Sequence, residues 1–112
     1  MIALRDTLRK FVAERDWDKF HSPKNLAMAL SVEVAELMEH FQWLTEAESR
    51  SLPPEKLAQV RDEMADVLVY LVRLADKLDV DLLDAAAKKI EKNALKYSAA
   101  RVRGSMKKYS DY

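Results

Sequence analysis

Two acidic pairs hold the chemistry open to this chain: Glu33-Val34-Ala35-Glu36 and Glu63-Met64-Ala65-Asp66. Each sets two carboxylates three residues apart in an apolar, helix-forming stretch, so both side chains share one helix face. Four such carboxylates facing each other make a site for a hard divalent cation, Mg²⁺ or Mn²⁺. Such ions complete their shells with water or phosphate oxygens, which points to phosphate chemistry. Neither pair carries the His three residues after a Glu that di-iron bundle sites use.

An acidic residue on a helix is by default solvated. Glu33 resists that reading because it sits on an apolar seam, Leu26, Leu30, Glu33, Leu37, His40, Leu44, spaced alternately four and three. An unpaired carboxylate there costs several kcal/mol or shifts its pKa and neutralises, and a cation removes the penalty. Glu36 lies toward the edge of the same seam. Glu63 and Asp66 flank the second seam, Leu57, Val60, Met64, Val67, Leu71, Leu74, Leu78. With Tyr70 they form a polar stripe beside Met64 and Val67.

The elements that must position these groups are helices. Ile2, Leu4, Leu8, Phe11 and Val12 recur at helical spacing and predict a first helix to about Arg15. A connector follows from Asp16 to His21. Ser22-Pro23 then suits a helix start, Ser as cap and Pro at the first helical position, and predicts a second helix to about Trp43 or Leu44. Thr45-Glu46-Ala47-Glu48 matches a capping box. A third helix is expected from Pro54 to about Leu78, and a fourth, capped by Asp79 or Asp81, through Leu82, Leu83, Ala86, Ile90, Ala94 and Tyr97. Short links between such helices predict an all-α antiparallel bundle of four main helices. The expected domain is 1–97, followed by a basic tail at 98–112 with Arg101, Arg103, Lys107 and Lys108.

Other side chains carry two readings each. Trp17 and Trp43, the only tryptophans, either cover helix ends or offer faces on which a base stacks. His21 is structural, or with Asn25 one turn on it reads a base edge. Lys89, Asn93 and Lys96 form a solvated stripe, or they meet a metal-bound triphosphate with point charges and a sugar contact. No Gly-rich phosphate loop occurs, so phosphate must be held by metal and side chains.

Composition narrows the classes. The 112 residues suit one domain with a modest core. The single glycine, Gly104, and the three prolines, Pro23, Pro53 and Pro54, favour helix. Acidic and basic residues balance at 19 each, so no global field draws in nucleic acid or membrane. The absence of Cys excludes disulfides, thiolate metal sites and cysteine nucleophiles, and it suits a reducing, cytoplasmic setting. Met1 to Lys10 holds no long apolar run and is expected to be neither signal peptide nor membrane span.

The ordered words of the chain resemble a known family. Glu14-Arg15-Asp16-Trp17-Asp18-Lys19-Phe20-His21, Pro23-Lys24-Asn25-Leu26, Glu33 to Glu36, Phe41-Gln42-Trp43, Glu63 to Asp66 running on through Val67-Leu68-Val69-Tyr70-Leu71, Asn93 and Lys96-Tyr97 are similar to the MazG-like all-α nucleoside triphosphate pyrophosphohydrolases, in their dCTP pyrophosphatase branch. The likeness covers about residues 8 to 100. It implies that Glu33, Glu36, Glu63 and Asp66 bind Mg²⁺ and form the catalytic centre, where water attacks the α-phosphorus to give a monophosphate and pyrophosphate. It further implies that Trp17 and Trp43 sandwich the base, that His21, Asn25, Tyr70 and Asn93 line the pocket, and that Lys89 and Lys96 contact phosphate. A homo-oligomer, often a dimer of dimers, is implied as well. Ser98 stands where relatives often have Pro, which bears on the path of the tail.

The expected function is therefore a Mg²⁺-dependent hydrolase of dCTP or a related, modified pyrimidine deoxynucleotide, serving to clean the nucleotide pool. The alternatives are a broad-specificity triphosphate pyrophosphohydrolase and a non-catalytic helical interaction module. The module leaves Glu33 on its seam unexplained.

Overall fold

The structure, a computed structural model, describes residues 1–97; the expected basic tail at 98–112 lies outside them. The described residues form helices and no strand: α1 (Ile2–Glu14), a 3-10 turn (Asp18–Phe20), α2 (Pro23–Glu39), the four-residue α3 (Glu46–Ser49), α4 (Pro54–Lys77) and α5 (Leu82–Lys96). They divide into two compact units, Met1–Val80 with α1 to α4 and a second beginning at Asp81 that holds α5. None of these helices is long and apolar enough to cross a membrane.

Local chemistry sets the boundaries. Ser22 accepts from the Asn25 amide at 3.2 Å and Pro23 occupies the first position of α2, satisfying an otherwise orphaned donor. Thr45 and Glu48 form both bonds of a capping box on α3. Of the two candidate caps for α5, Asp81 serves, accepting from the Asp84 amide at 3.1 Å. Asp79 has another task. It and Asp16 both take φ of 54°, the left-handed conformation that closes a Schellman cap. Trp17 N–H bonds back to the Val12 carbonyl at the end of α1, and Val80 N–H to that of Ala75 at the end of α4.

Two boundary expectations need correction. α2 ends at Glu39, short of Trp43. The His40 and Phe41 amides tighten onto the carbonyls of Leu37 and Met38, and Thr45 must be extended to cap α3, so the chain leaves the helix early. The expected seam of α4 also holds only in part, with Val67, Leu71 and Leu74 half-buried. Val60, Val72, Arg73 and Ala75 are buried, while Leu57 and Leu78 are exposed and Met64 is 57% exposed. Glu63, the neighbour of Met64, is half-buried in its place.

In the first unit α4 is the central element, packed by α2 and by α1. α2 and α4 run antiparallel: Glu33 and Glu36 meet Glu63, while His21, just before α2, meets Arg73 near the end of α4. The core is small, Val12, Leu26, Val60, Val72 and Ala75. Met28, Val32, Val34 and Met38 on α2, with Leu57, Met64 and Leu68 on α4, remain largely exposed.

Candidate metal centre and base-recognition turn

Where α2 crosses α4, Glu33, Glu36 and Glu63 each bring a carboxylate oxygen within 4.8 Å of the others. All three residues are half-buried. One oxygen of Glu33 and one of Glu63 are buried with no hydrogen-bond partner. Like charges gathered in this way resist ionisation. Burial, then Glu36, Asp66 and Glu63, push the Glu33 carboxyl up to about 7. Burial, then Glu36 and Asp66, raise Glu63 against a smaller opposing effect of its hydrogen bond with Glu33. Asp66 is exposed and outside the group of three, yet close enough to contribute to both shifts. Hard oxygen donors, orphaned lone pairs and mutual repulsion all fit a divalent cation, whose charge relieves the strain.

Glu63, Asp66 and Tyr70 continue the expected stripe along α4, and Tyr70 is half-buried. The stripe runs on at the same spacing into Arg73 and Lys77, residues that the sequence reading passed over. Arg73 is only 3% exposed. Its Nη2 donates to Asp18 at 3.0 Å, its Nη1 to Asp76 at 3.4 Å and its Nε to His21 Nδ1 at 3.3 Å. Lys77 pairs with Asp18 at 2.6 Å. Arg9 of α1 reaches Asp76 with two arms, Nε to Oδ2 at 2.8 Å and Nη2 to Oδ1. The Lys77 and Arg73 cations hold the Asp18 carboxyl below its usual range, and Arg9 does the same for Asp76. A cleft of about 450 Å³ opens here, lined by Arg9, Ala13, Asp18, Arg73, Asp76 and Lys77. The signal that could have revealed this network is the unbroken spacing 63, 66, 70, 73, 77.

This network fastens the turn that carries Trp17 and His21. Trp17 follows the Schellman cap of α1, meets Phe11 edge to face at 5.8 Å, and is 45% exposed. Arg15 lies over the Phe11 ring at 3.7 Å, so Trp17 rests on a braced platform. His21 is held neutral chiefly by burial, with Arg73 and Lys77 outweighing Asp18. Asn25 donates its side-chain amide to the Phe20 carbonyl at 3.1 Å, which ties the 3-10 turn to the start of α2. Trp43 differs: at 86% exposure it covers almost nothing in its own chain.

Lys89, Asn93 and Lys96 lie on α5 in the second unit, at spacings of four and three. Lys89 and Asn93 are exposed, and the Asn93 carbonyl accepts from the Tyr97 amide at 2.8 Å.

Comparison with known proteins gives the family. dCTP pyrophosphatase 1 of Mus musculus is 45% identical over 104 residues, covering 91% of this chain and 61% of that protein. Its Homo sapiens counterpart is 44% identical over the same length. The chain thus spans about three fifths of the length of these curated relatives. A crystal structure of a pyrophosphatase from Archaeoglobus fulgidus matches with a TM-score of 0.83 and 43% identity, over 88% of this chain and 92% of that one. The MazG-like family model matches residues 28–112, a stretch that includes both acidic pairs, and the chain belongs to the MazG-like family.

Proposed function

We propose that this chain is a Mg²⁺-dependent nucleoside triphosphate pyrophosphohydrolase that converts dCTP, or a related modified pyrimidine deoxynucleotide, to the monophosphate and pyrophosphate. The observation that carries the reading is the convergence of Glu33, Glu36 and Glu63 with two orphaned buried oxygens. Relatives named dCTP pyrophosphatase supply the substrate.

Glu33, Glu36 and Glu63 would hold the metal, with Asp66 beside them as the fourth ligand. When bound, Mg²⁺ neutralises the triphosphate and stabilises charge on the leaving pyrophosphate. The chain's own residues orient the nucleotide. Trp17 offers a stacking face and His21 an edge contact, with Asn25 and Tyr70 completing the pocket. Asp66 and Arg73 are seven residues apart on α4, about 10 Å of helix, a separation that suits a base at one end and its α-phosphate at the other. Lys89, Asn93 and Lys96 are assigned to phosphate and sugar. The setting proposed is cytoplasmic.

The base sandwich calls for a second copy. α2 has 17 residues and is about 25 Å long. Trp17 precedes it and Trp43 follows it, so one chain's two indoles cannot hold opposite faces of one base. Trp43 of the partner subunit would supply the second face. The uncovered apolar stripes of α2 and α4 support such a homo-oligomer, a dimer or a dimer of dimers.

A panel of canonical and modified triphosphates, scored for monophosphate and pyrophosphate, tests the function. Turnover of dCTP with pyrophosphate release is expected. Orthophosphate as the first product overturns it, and equal turnover of dATP and dGTP leaves only the broad-specificity alternative. Mixing inactive Trp17→Ala and Trp43→Ala proteins should restore part of the activity, because some mixed sites carry both indoles. No recovery in subunit-exchanged mixtures would sink the shared sandwich.

A further inference from the structure

His21 has two neutral tautomers, and they present opposite chemistry to a ligand: a donor or an acceptor at Nε2. A guanidinium has five donors and no acceptor. Its Nε–H points at Nδ1 of His21 across 3.3 Å, and a proton on Nδ1 would set N–H against N–H. The nearby charges are Arg73, Lys77 and Asp18, and Asp18 is taken up by both cations. Among the described residues no carboxylate therefore competes to pull the ring proton to Nδ1.

We infer that Arg73 is a positioning residue that fixes His21 as the Nε2–H tautomer, so that the ring offers a hydrogen-bond donor to an acceptor on the substrate base. Through Asp18 the same guanidinium clamps the Trp17–His21 turn onto α4, the helix that carries Glu63 and Asp66. One rigid stripe then sets the distance between the metal and the base edge. Arg73 itself touches no substrate. It is almost fully buried, and its three donor nitrogens are spent on protein partners. The donor matches the adjacent acceptors O2 and N3 of cytosine. At N3 of uracil or thymine it would instead face an N–H, leaving polar groups unpaired, which discriminates strongly. The role assigned to the donor rests on the proposed reading that this turn receives the base.

Long-range proton–nitrogen NMR on histidine-labelled protein at neutral pH reads the tautomer directly. His21→Gln serves to assign the ring signals against His40. The wild type should show the proton on Nε2 of His21. Asp18→Asn should leave it there, since the Arg73 Nε donor remains, while Arg73→Met should give a mixture of tautomers. In kinetics, Arg73→Met should raise KM for dCTP about tenfold, the worth of one such contact, with kcat little changed. In a His21→Ala background the same substitution should lose the part of its effect that passes through the ring and keep only what loosening the Asp18 clamp costs, whereas a purely structural role would add its full effect. A wild-type proton on Nδ1, or a full additional KM effect in the His21→Ala background, overturns the inference. If the wild type turns over no pyrimidine triphosphate while the Nε2–H tautomer is seen, the functional reading fails and the donor's use with it. The tautomer measurement separates that outcome from a failure of Arg73 to hold the ring.

Discussion

Two charged clusters share the stripe of α4, and they are built on opposite rules. Near the middle of the helix, Glu63 meets Glu33 and Glu36 with no Lys or Arg of the described residues paired to them, two buried oxygens lack partners, and Glu33 is pushed up to about 7. Nearly three turns further on, Arg73 is more deeply buried, yet Asp18 and Asp76 answer its charge and Lys77 and Arg9 reinforce them. The second cluster is internally satisfied and acts as architecture. The first is left unsatisfied by the protein's own side chains, as suits the metal centre proposed above. Buried polar groups are normally paired, so the contrast separates a site from its scaffold better than burial or charge does.

Substitution should break this contrast most sharply at Glu33. Loss of a group that merely orients a metal ligand costs about 10–100-fold, so Glu33→Gln should lower pyrophosphate release by more than about 100-fold. Its melting temperature without metal should hold or rise, because the amide removes a repelled carboxylate. A matching loss of stability and activity would place Glu33 in the scaffold instead. At Arg73 the signs reverse. Arg73→Met should cost about 1.5–3 kcal/mol in denaturant unfolding, as expected for buried hydrogen bonds to charged groups. It should not exceed that range, because Asp76 keeps Arg9 and Asp18 keeps Lys77. A smaller effect than about 0.5 kcal/mol, the scale of an exposed ion pair, would show that the network does not brace the turn.

The smallest effect, a few degrees of melting temperature, sharpens the same comparison by pH. A carboxyl whose pKa is raised in the folded state penalises folding once it ionises. For Glu33 that cost is full above about pH 7 and fades toward the ordinary carboxylate range. The metal-free protein should therefore melt higher near pH 5.5 than at pH 8, and Mg²⁺ at pH 8 should abolish the difference. Asp18 and Asp76 act in the opposite sense. Their pKa values are depressed, so their contribution is present above the unfolded carboxylate pKa and is lost only as pH falls through the folded values, below about 4. Scans at pH 8, 5.5 and 3.5 with and without Mg²⁺ check both signs. A metal-free protein most stable at pH 8 would contradict the assignment at Glu33.

Some of this was readable from residue order because the physics is local. The Ser22-Pro23 start, the Thr45–Glu48 capping box and the Asp81 cap are hydrogen bonds among near neighbours, and each forms as its spacing implies. Glu33 on its apolar seam announced an unsatisfied carboxylate, since helical period alone puts it beside Leu30 and Leu37. The end of α2 was misplaced because an extended Thr45 overrides the helical tendency of the residues before it. The family words tie Trp17 and Trp43 to one base, but helix length sets them at opposite ends of α2.

The sequence by itself determined an all-α chain, the caps that start its helices, and two carboxylate pairs that each share one helix face. Only the tertiary structure decided that Glu63 rather than Met64 turns inward, that Glu33, Glu36 and Glu63 converge within 4.8 Å, and that Arg73 is buried against Asp18, Asp76 and His21. The reason is range. Caps and helical faces follow from residues three or four apart, whereas the pairing of α4 with the turn before α2 joins residues more than fifty positions apart, and no local period encodes which face α4 presents to two different helices.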